Sequence, residues 1–230
     1  MIMQLAKPRM DIGLSTNNAD AMLSFWQEDA GIPFDHLLKV RRGQHQHRHD
    51  VLGSVLKIND FVDPLPEVAA SGYRELLIAR KGEGAVRPLV DPDGNALSLV
   101  PPGTMGVEQI GVRLVVRDLD AHRRFYSQAF GFPEKPYGPG IAFQAGESLI
   151  LLEEGADAPS DAEFKGKGWR YVTFQVFKVD EEHARVLDAG GREALAPVTL
   201  GETARISMVR DPDGNWIELS QRASIVGSLD

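Results

Sequence analysis

Apolar residues along this chain recur with two periods. Residues 9–16 alternate, Ile12 and Leu14 on one face and Asp11, Gly13 and Ser15 on the other, which is the pattern of a half-buried strand. From about Asn18 to Ala30 the period lengthens, with Met22, Phe25 and Trp26 on one helical face, and Gly31 and Pro33 end the helix. Segments 34–42, 44–49 and 54–59, divided by Gly43 and by residues 50–53, predict three antiparallel strands, so the first unit reads β-α-β-β-β. A strand restarts at Tyr73 to Arg80, but Lys81-Gly82-Glu83-Gly84 leaves no room for a helix before a hairpin at 86–100. The rest predicts a strand at 109–117, a helix from about Asp118 to Phe130, strands around 141–153 and at 170–177, a helix at 180–189 and a hairpin at 205–220. For the last helix Asp180 is the expected N-cap and Gly190-Gly191 the stop.

These elements repeat. Asp91-Pro92-Asp93-Gly94-Asn95 recurs as Asp211-Pro212-Asp213-Gly214-Asn215, a turn in which Pro presets φ, Asp bonds the local backbone and Gly takes positive φ. Asp11-Ile12-Gly13-Leu14 is answered by Gln109-Ile110-Gly111-Val112, and Gly72-Tyr73-Arg74 by Gly168-Trp169-Arg170. Three landmarks in one order, twice, indicate a duplication, with one domain at 1–103, a second at 104–230, and Pro101-Pro102-Gly103 as linker.

Composition narrows the chemistry. At 230 residues and 43% hydrophobic content each half can build its own core. No run of about 18 apolar residues suggests a membrane span, and the first residues lack a signal-peptide core, so a cytoplasmic location is expected. Without cysteine, a metal would have to sit on His, Asp, Glu, Gln or Tyr. A net charge of −8 argues against nucleic acid or an anionic membrane as partner, leaving a small molecule and, for assembly, a homodimer. The cluster Arg41, Arg42, His45, His47, Arg48 and His49 is a local basic hairpin.

The paired units, Asp118-Leu119-Asp120 leading to Phe125-Tyr126, and the second turn ending in Ile217-Glu218-Leu219 resemble the vicinal oxygen chelate superfamily over nearly the whole chain. That superfamily includes glyoxalase I, extradiol dioxygenases, certain epimerases and the bleomycin-resistance binding proteins. The resemblance implies an α+β fold: repeated β-α-β-β-β units pair into two curved mixed sheets with helices on the convex side. It implies one of two functions. The first is a metal-assisted enzyme of lyase, isomerase or dioxygenase type, using Fe, Mn, Zn or Ni on a small oxygenated or aromatic substrate. The second is a metal-free protein that sequesters a small aromatic or amphipathic ligand.

The same resemblance puts metal ligands near the start of the first strand and on the last strand of each unit. Those positions are Gln109 (or Gly111), Leu151, Tyr171 and Glu218 in the second half, and Asp11, Lys57, Glu75 and Ser98 in the first. Only Glu218 keeps the usual glutamate, and Tyr171 stands at a histidine position of the dioxygenases. Strand parity sends Glu218 with Trp216, and Tyr171 with Thr173 and Gln175, into a concave cup, while Gln109 and Arg113 share a face. Glu218 and Tyr171 are therefore the catalytic candidates, Gln109, Arg113, Thr173, Gln175 and Trp216 the ligand contacts, and Glu218 with Gln109 the metal candidates of that half. The bland alternative for Glu218 is a rim carboxylate paired with Arg113 or Arg205. In the first half Asp11, His47, His49 and Glu75 form a metal set if the face shared by His45, His47 and His49 points into the cup. Gln44, Gln46 and Arg48 opposite are equally polar, so periodicity leaves the direction open. His122 and His183, on helices, are expected at the surface.

Overall fold

The computed structural model describes residues 2–229. The first unit is β1 (Asp11–Thr16), α1 (Ala19–Ser24) continued by a π-helical turn at Phe25–Asp29, β2 (Phe34–Arg41), β3 (Gln44–Val51) and β4 (Ser54–Phe61). As the glycines at 82 and 84 suggest, the second unit lacks a helix and has only β5 (Tyr73–Ala79), β6 (Arg87–Val90) and β7 (Ala96–Val100). The third unit is β8 (Ile110–Val116), α2 (Leu119–Gln128), β9 (Glu134–Tyr137), β10 (Gly140–Ala145) and β11 (Ser148–Glu154). The fourth is β12 (Gly168–Gln175), α3 (Val179–Asp188), β13 (Arg192–Leu200), β14 (Ala204–Arg210) and β15 (Trp216–Arg222), followed by a short α4 (Ala223–Val226). Among the described residues no helix is long and apolar enough to cross a membrane.

Two local expectations are corrected. Helix α3 begins at Val179 with Lys178 at its N-cap; Asp180 lies in the first turn, where both its oxygens accept from Arg205, at 2.5 and 2.6 Å. That contact also removes Arg205 as the partner of Glu218. His122 and His183 are buried rather than exposed. His122 Nε2 lies 3.3 Å from Asp211 Oδ2, and His183 Nε2 lies 3.0 Å from Glu193 Oε2, so each imidazole enters the interior beside a carboxylate.

The larger correction concerns pairing. Each half of the chain was expected to close its own cup, but each sheet takes one unit from each half. One sheet has eight strands in the order β13-β14-β15-β12-β1-β4-β3-β2, joining the first unit to the fourth; the other has seven, β6-β7-β5-β8-β11-β10-β9, joining the second to the third. The short connection between Val100 and Ile110 keeps β8 beside β5 in an antiparallel pair, while residues 62–72 carry the chain from one sheet to the other. The central pair of the first sheet, β1 with β12, is likewise antiparallel. Ile12, Leu14, Leu56, Ile58, Val172 and Phe174 from one sheet and Val112, Leu114, Ile150 and Leu152 from the other share a single core with Trp26, Phe125 and Tyr126 of the helices. Apolar parity thus packs both sheets on the helices and leaves their concave faces free.

The repeated turns hold the exchanged sheets together. In each copy the first Asp accepts from two backbone N–H groups of its own turn, and the Gly has φ near 85°, a left-handed value that disfavours any side chain. Asp93 then accepts from Thr16 at the end of β1, and Asp213 from the backbone and guanidinium of Arg117 beyond β8. Asn215 accepts from Gly72 N at 2.6 Å, and Asn95 Oδ1 stands so close to Gly168 that a Cβ there would lie 2.6 Å away. The landmark glycines and the turns therefore contact one another across the halves.

Candidate functional site

The concave face of the eight-stranded sheet holds a cavity of about 420 Å³. Its floor follows from register. Val51-Leu52-Gly53-Ser54 makes a two-residue turn with Leu52 at φ 56° and Gly53 at φ 83°. This pairs His49 with Leu56, Arg48 with Lys57, His47 with Ile58 and Gln46 with Asn59. Because Leu56 and Ile58 belong to the core, Gln46, Arg48, Lys57 and Asn59 line the cup and the three histidines point to the helix side.

At the centre, Lys57 Nζ donates to Thr173 Oγ1 at 2.7 Å and to Glu218 Oε2 at 2.6 Å, and Thr173 Oγ1 donates to the same carboxylate oxygen at 2.6 Å. Burial pushes the Lys57 ammonium below its ordinary range, Glu218 and Asp11 oppose that shift, and nearby Arg48 adds to it. Beside this triangle Tyr171 OH accepts from Asn59 Nδ2 at 3.2 Å, and burial and then Glu218 raise its pKa, so the phenol stays neutral. The tyrosine lies over Gly13, where a Cβ would come within 2.2 Å of its ring. Asp11 closes one end: its oxygens accept from Lys7 Nζ at 2.6 Å, Val55 N at 2.8 Å and Gln175 Nε2 at 3.1 Å. Phe164 stacks between Tyr171 and Trp216, at 5.6 and 4.8 Å between centroids, and Trp216 donates to Ala162 O. Trp216 supports the cavity wall without lining it.

The seven-stranded sheet has a different concave face. Leu77, Ala79, Val100, Val107, Tyr137, Ala142, Leu149 and Leu151 form a second apolar cluster there. Beside it Arg113 donates to Glu75 at 2.6 Å and to Glu153 at 2.8 Å, Ser98 donates to Glu75, and Tyr137 donates to Glu153. Both carboxylates of this group are paired.

The expected residues are therefore divided. Glu218, Tyr171, Thr173 and Gln175 share the first cup, as parity predicts, with Asp11. Arg113 and Glu75 lie in the second, which corrects the expectation of Arg113 beside Glu218. Gln109 belongs to neither; its amide clasps Val51 O, Leu52 O and Ser54 Oγ and accepts from Ser148 Oγ at 2.8 Å, joining the turn to β11. His47 and His49 do not meet Asp11 or Glu75: His47 Nε2 is 3.9 Å from Asp60, and His49, wholly buried, packs edge-on to Phe34.

The sheet exchange brings Asp11, Lys57, Tyr171 and Glu218 together, which are four of the positions where the resemblance expects metal ligands. They do not fit a divalent ion. One is an ammonium, one a neutral phenol, and both carboxylates already accept from cations and hydroxyl or amide donors. Among the described residues no three His, Asp or Glu side chains form a metal-holding group. The sequence pattern assigned no site role to Arg48, Gln46, Asn59 or Arg222, which also line this cavity. The signal for the first three was the Leu52-Gly53 turn, whose two-residue length fixes the register and so the faces of β3 and β4.

Residues 107–219 match the model of the glyoxalase/bleomycin resistance protein/dioxygenase superfamily. Glyoxalase I from Zea mays superposes with a TM-score of 0.72 at 16% identity over 95% of both chains. Its V278E mutant gives 0.74 at 16% identity over 96% of each. A Bacillus subtilis protein provisionally named a dioxygenase gives 0.68 at 11% identity, covering 96% of this chain and 86% of that one. These identities establish a shared fold alone. No curated protein sequence matches the chain.

Proposed function

We propose that this chain, whose residues 107–219 match the model of the glyoxalase/bleomycin resistance protein/dioxygenase superfamily, uses the cup of its first sheet to bind a small amphipathic molecule without a divalent metal ion. The observation that carries this reading is the ammonium of Lys57, held 2.6 Å from Glu218 where the resemblance expects a metal ligand. A cation built into the chain neutralises the carboxylate and leaves it little affinity for an added one. The cavity falls within the usual range for small-molecule sites, and the apolar Leu38, Phe164, Leu195, Ile206 and Met208 line it beside the polar floor. The metal-assisted reaction that the resemblance implies would need free donors that this set does not offer.

A second reading is acid–base turnover of the bound molecule. Burial lowers the Lys57 pKa, and the ammonium touches both Thr173 and Glu218, an arrangement able to exchange a proton with a ligand. Thermal-shift screening of amphipathic compounds in the presence of EDTA tests the primary reading. Stabilisation that survives chelation supports it, and stabilisation that requires Zn(II), Mn(II), Ni(II) or Fe(II) overturns it.

A further inference from the structure

We propose that the ligand of the first cup is an organic anion whose acid group is bound by Arg48 and Arg222 and whose apolar body lies against the rim. This rests on the reading that the cup binds a small molecule.

The inference comes from a charge imbalance. The cavity lining contains Lys39, Arg41, Arg48, Lys57 and Arg222 but one carboxylate, Glu218, although the chain as a whole carries −8. Glu218 is taken by Lys57, and Asp11, deeper in the cup, by Lys7. Arg48, 5% exposed, donates from Nη1 to the neutral Gln46 Oε1 at 2.8 Å, and its Nε has no partner. Arg222 also leaves Nε buried and unbonded. Burial lowers the Arg222 pKa, Arg48 lowers it further, and Glu218 and Asp11 only partly compensate.

Arg74 and Arg210 also have an unbonded Nε, but each forms an ion pair with an aspartate, Asp157 and Asp161 respectively, through another nitrogen. Neither Arg48 nor Arg222 pairs with a carboxylate among the described residues. A buried guanidinium with donors unmet and no carboxylate paired to it is costly to keep, and a planar or tetrahedral oxyanion would satisfy both groups at once. Lys39 and Arg41, exposed on β2 at the mouth, extend the positive field outward and would draw an anion into a protein that is otherwise acidic. The body of the ligand follows from the rest of the lining: Leu38 on β2 and Leu195 on β13, edge strands at opposite ends of the sheet order, share the cavity with Phe164, Ile206 and Met208.

The test is calorimetric titration of the full chain in EDTA at pH 7 with octanoate, octyl phosphate, octanamide and octylamine. At least one of the two anions should bind about tenfold or more tightly than the amide, and octylamine should not bind, since charge-assisted hydrogen bonds are the difference between them. The anion that binds more tightly identifies the acid group. Arg222→Met should weaken the anion about tenfold or more while leaving the amide unchanged, Arg222→Lys should recover part of the loss, and Arg205→Met, outside the cup, should change neither. Far-UV circular dichroism and the melting temperature establish that each variant is folded.

Equal affinity for amide and anions, an Arg222→Met variant that binds the anion normally, or no anion binding at millimolar concentration would each overturn the proposal. Equal, metal-independent affinity for all four compounds would leave the cup as a binding site and remove only its preference for anions. Binding that appears only on adding a divalent metal would remove the reading beneath it.

Discussion

Removing one charge of the central pair should have very different consequences depending on which charge is removed. The side chains of Lys57 and Glu218 are 4% and 13% exposed, so neither charge is relieved by water. Glu218→Gln leaves the ammonium in a cup that also contains Arg48 and Arg222, with Asp11 already committed to Lys7. Breaking a buried pair in this way should cost about 3–4 kcal/mol. Lys57→Met leaves the carboxylate, but the Thr173 hydroxyl still donates to it and the two guanidiniums supply positive potential, so its cost should be nearer 1 kcal/mol. The double variant Lys57→Met/Glu218→Gln replaces the pair by neutral groups of similar volume and should cost about 1 kcal/mol or less. For a chain of this size these figures correspond to melting-temperature losses of roughly 6–16 °C for Glu218→Gln and roughly 2–4 °C for Lys57→Met. Calorimetry and urea denaturation of the four proteins complete the cycle. If Lys57→Met proves as damaging as Glu218→Gln, or if the double variant loses the sum of the singles, the charge distribution described for the cup is wrong.

Four further outcomes are expected. Burial lowers the His49 pKa from 6.5 to about 4; the unfolded chain therefore takes up this proton first, and about 3 kcal/mol of stability should be lost as pH falls from 6.5 to about 4, a loss reduced in His49→Gln and measurable by urea denaturation across that window. His122 behaves oppositely: burial alone would lower its pKa, but Asp211, together with the Asp118 carbonyl and Asp213, raises it, so its contribution is full below pH 6.5 and lost as pH climbs through the raised value; His122→Asn should therefore lose stability below pH 6.5 and flatten the decline above neutrality. Gly13→Ala drives a Cβ to 2.2 Å from the Tyr171 ring and should cost about 1–3 kcal/mol, with weaker ligand binding as Tyr171 leaves Asn59; Arg113→Met, in the other cup, should lower the melting temperature yet leave ligand affinity as it was, and a matching loss of affinity would relocate the site.

Faces were legible in the sequence, and partners were not. Alternation along residues 171–176 and around Glu218 placed Tyr171, Thr173 and Gln175 opposite the core residues Val172, Phe174 and Val176. The exchange of units escaped detection because β1 and β8 carry the same pattern, as do β5 and β12, so parity is satisfied whichever first strand meets whichever later one. Histidine direction was open because both faces of β3 are polar; only the core partners Leu56 and Ile58, reached through the Leu52-Gly53 turn, determine it. Strand β13 left no signal, since it is an edge strand interrupted by Pro197 and mostly exposed, so neither alternation nor burial marks it.

The exchange of units also sets a schedule for the growing chain. Asp11 lies opposite Thr173, so the strand at the centre of the cup waits for a partner made about 160 residues later, roughly 10–30 s at ordinary rates of synthesis. Until then β1 has β4 on one side and a bare hydrogen-bonding edge on the other, while β5 and β8, close in sequence, can join early. The seven-stranded sheet would form first and act as the scaffold onto which the nascent N-terminal unit docks when β12 arrives. The sheet with the open cavity is the last to be completed, so cutting between residues 103 and 104 would leave two fragments, each exposing edges that only the other can cover.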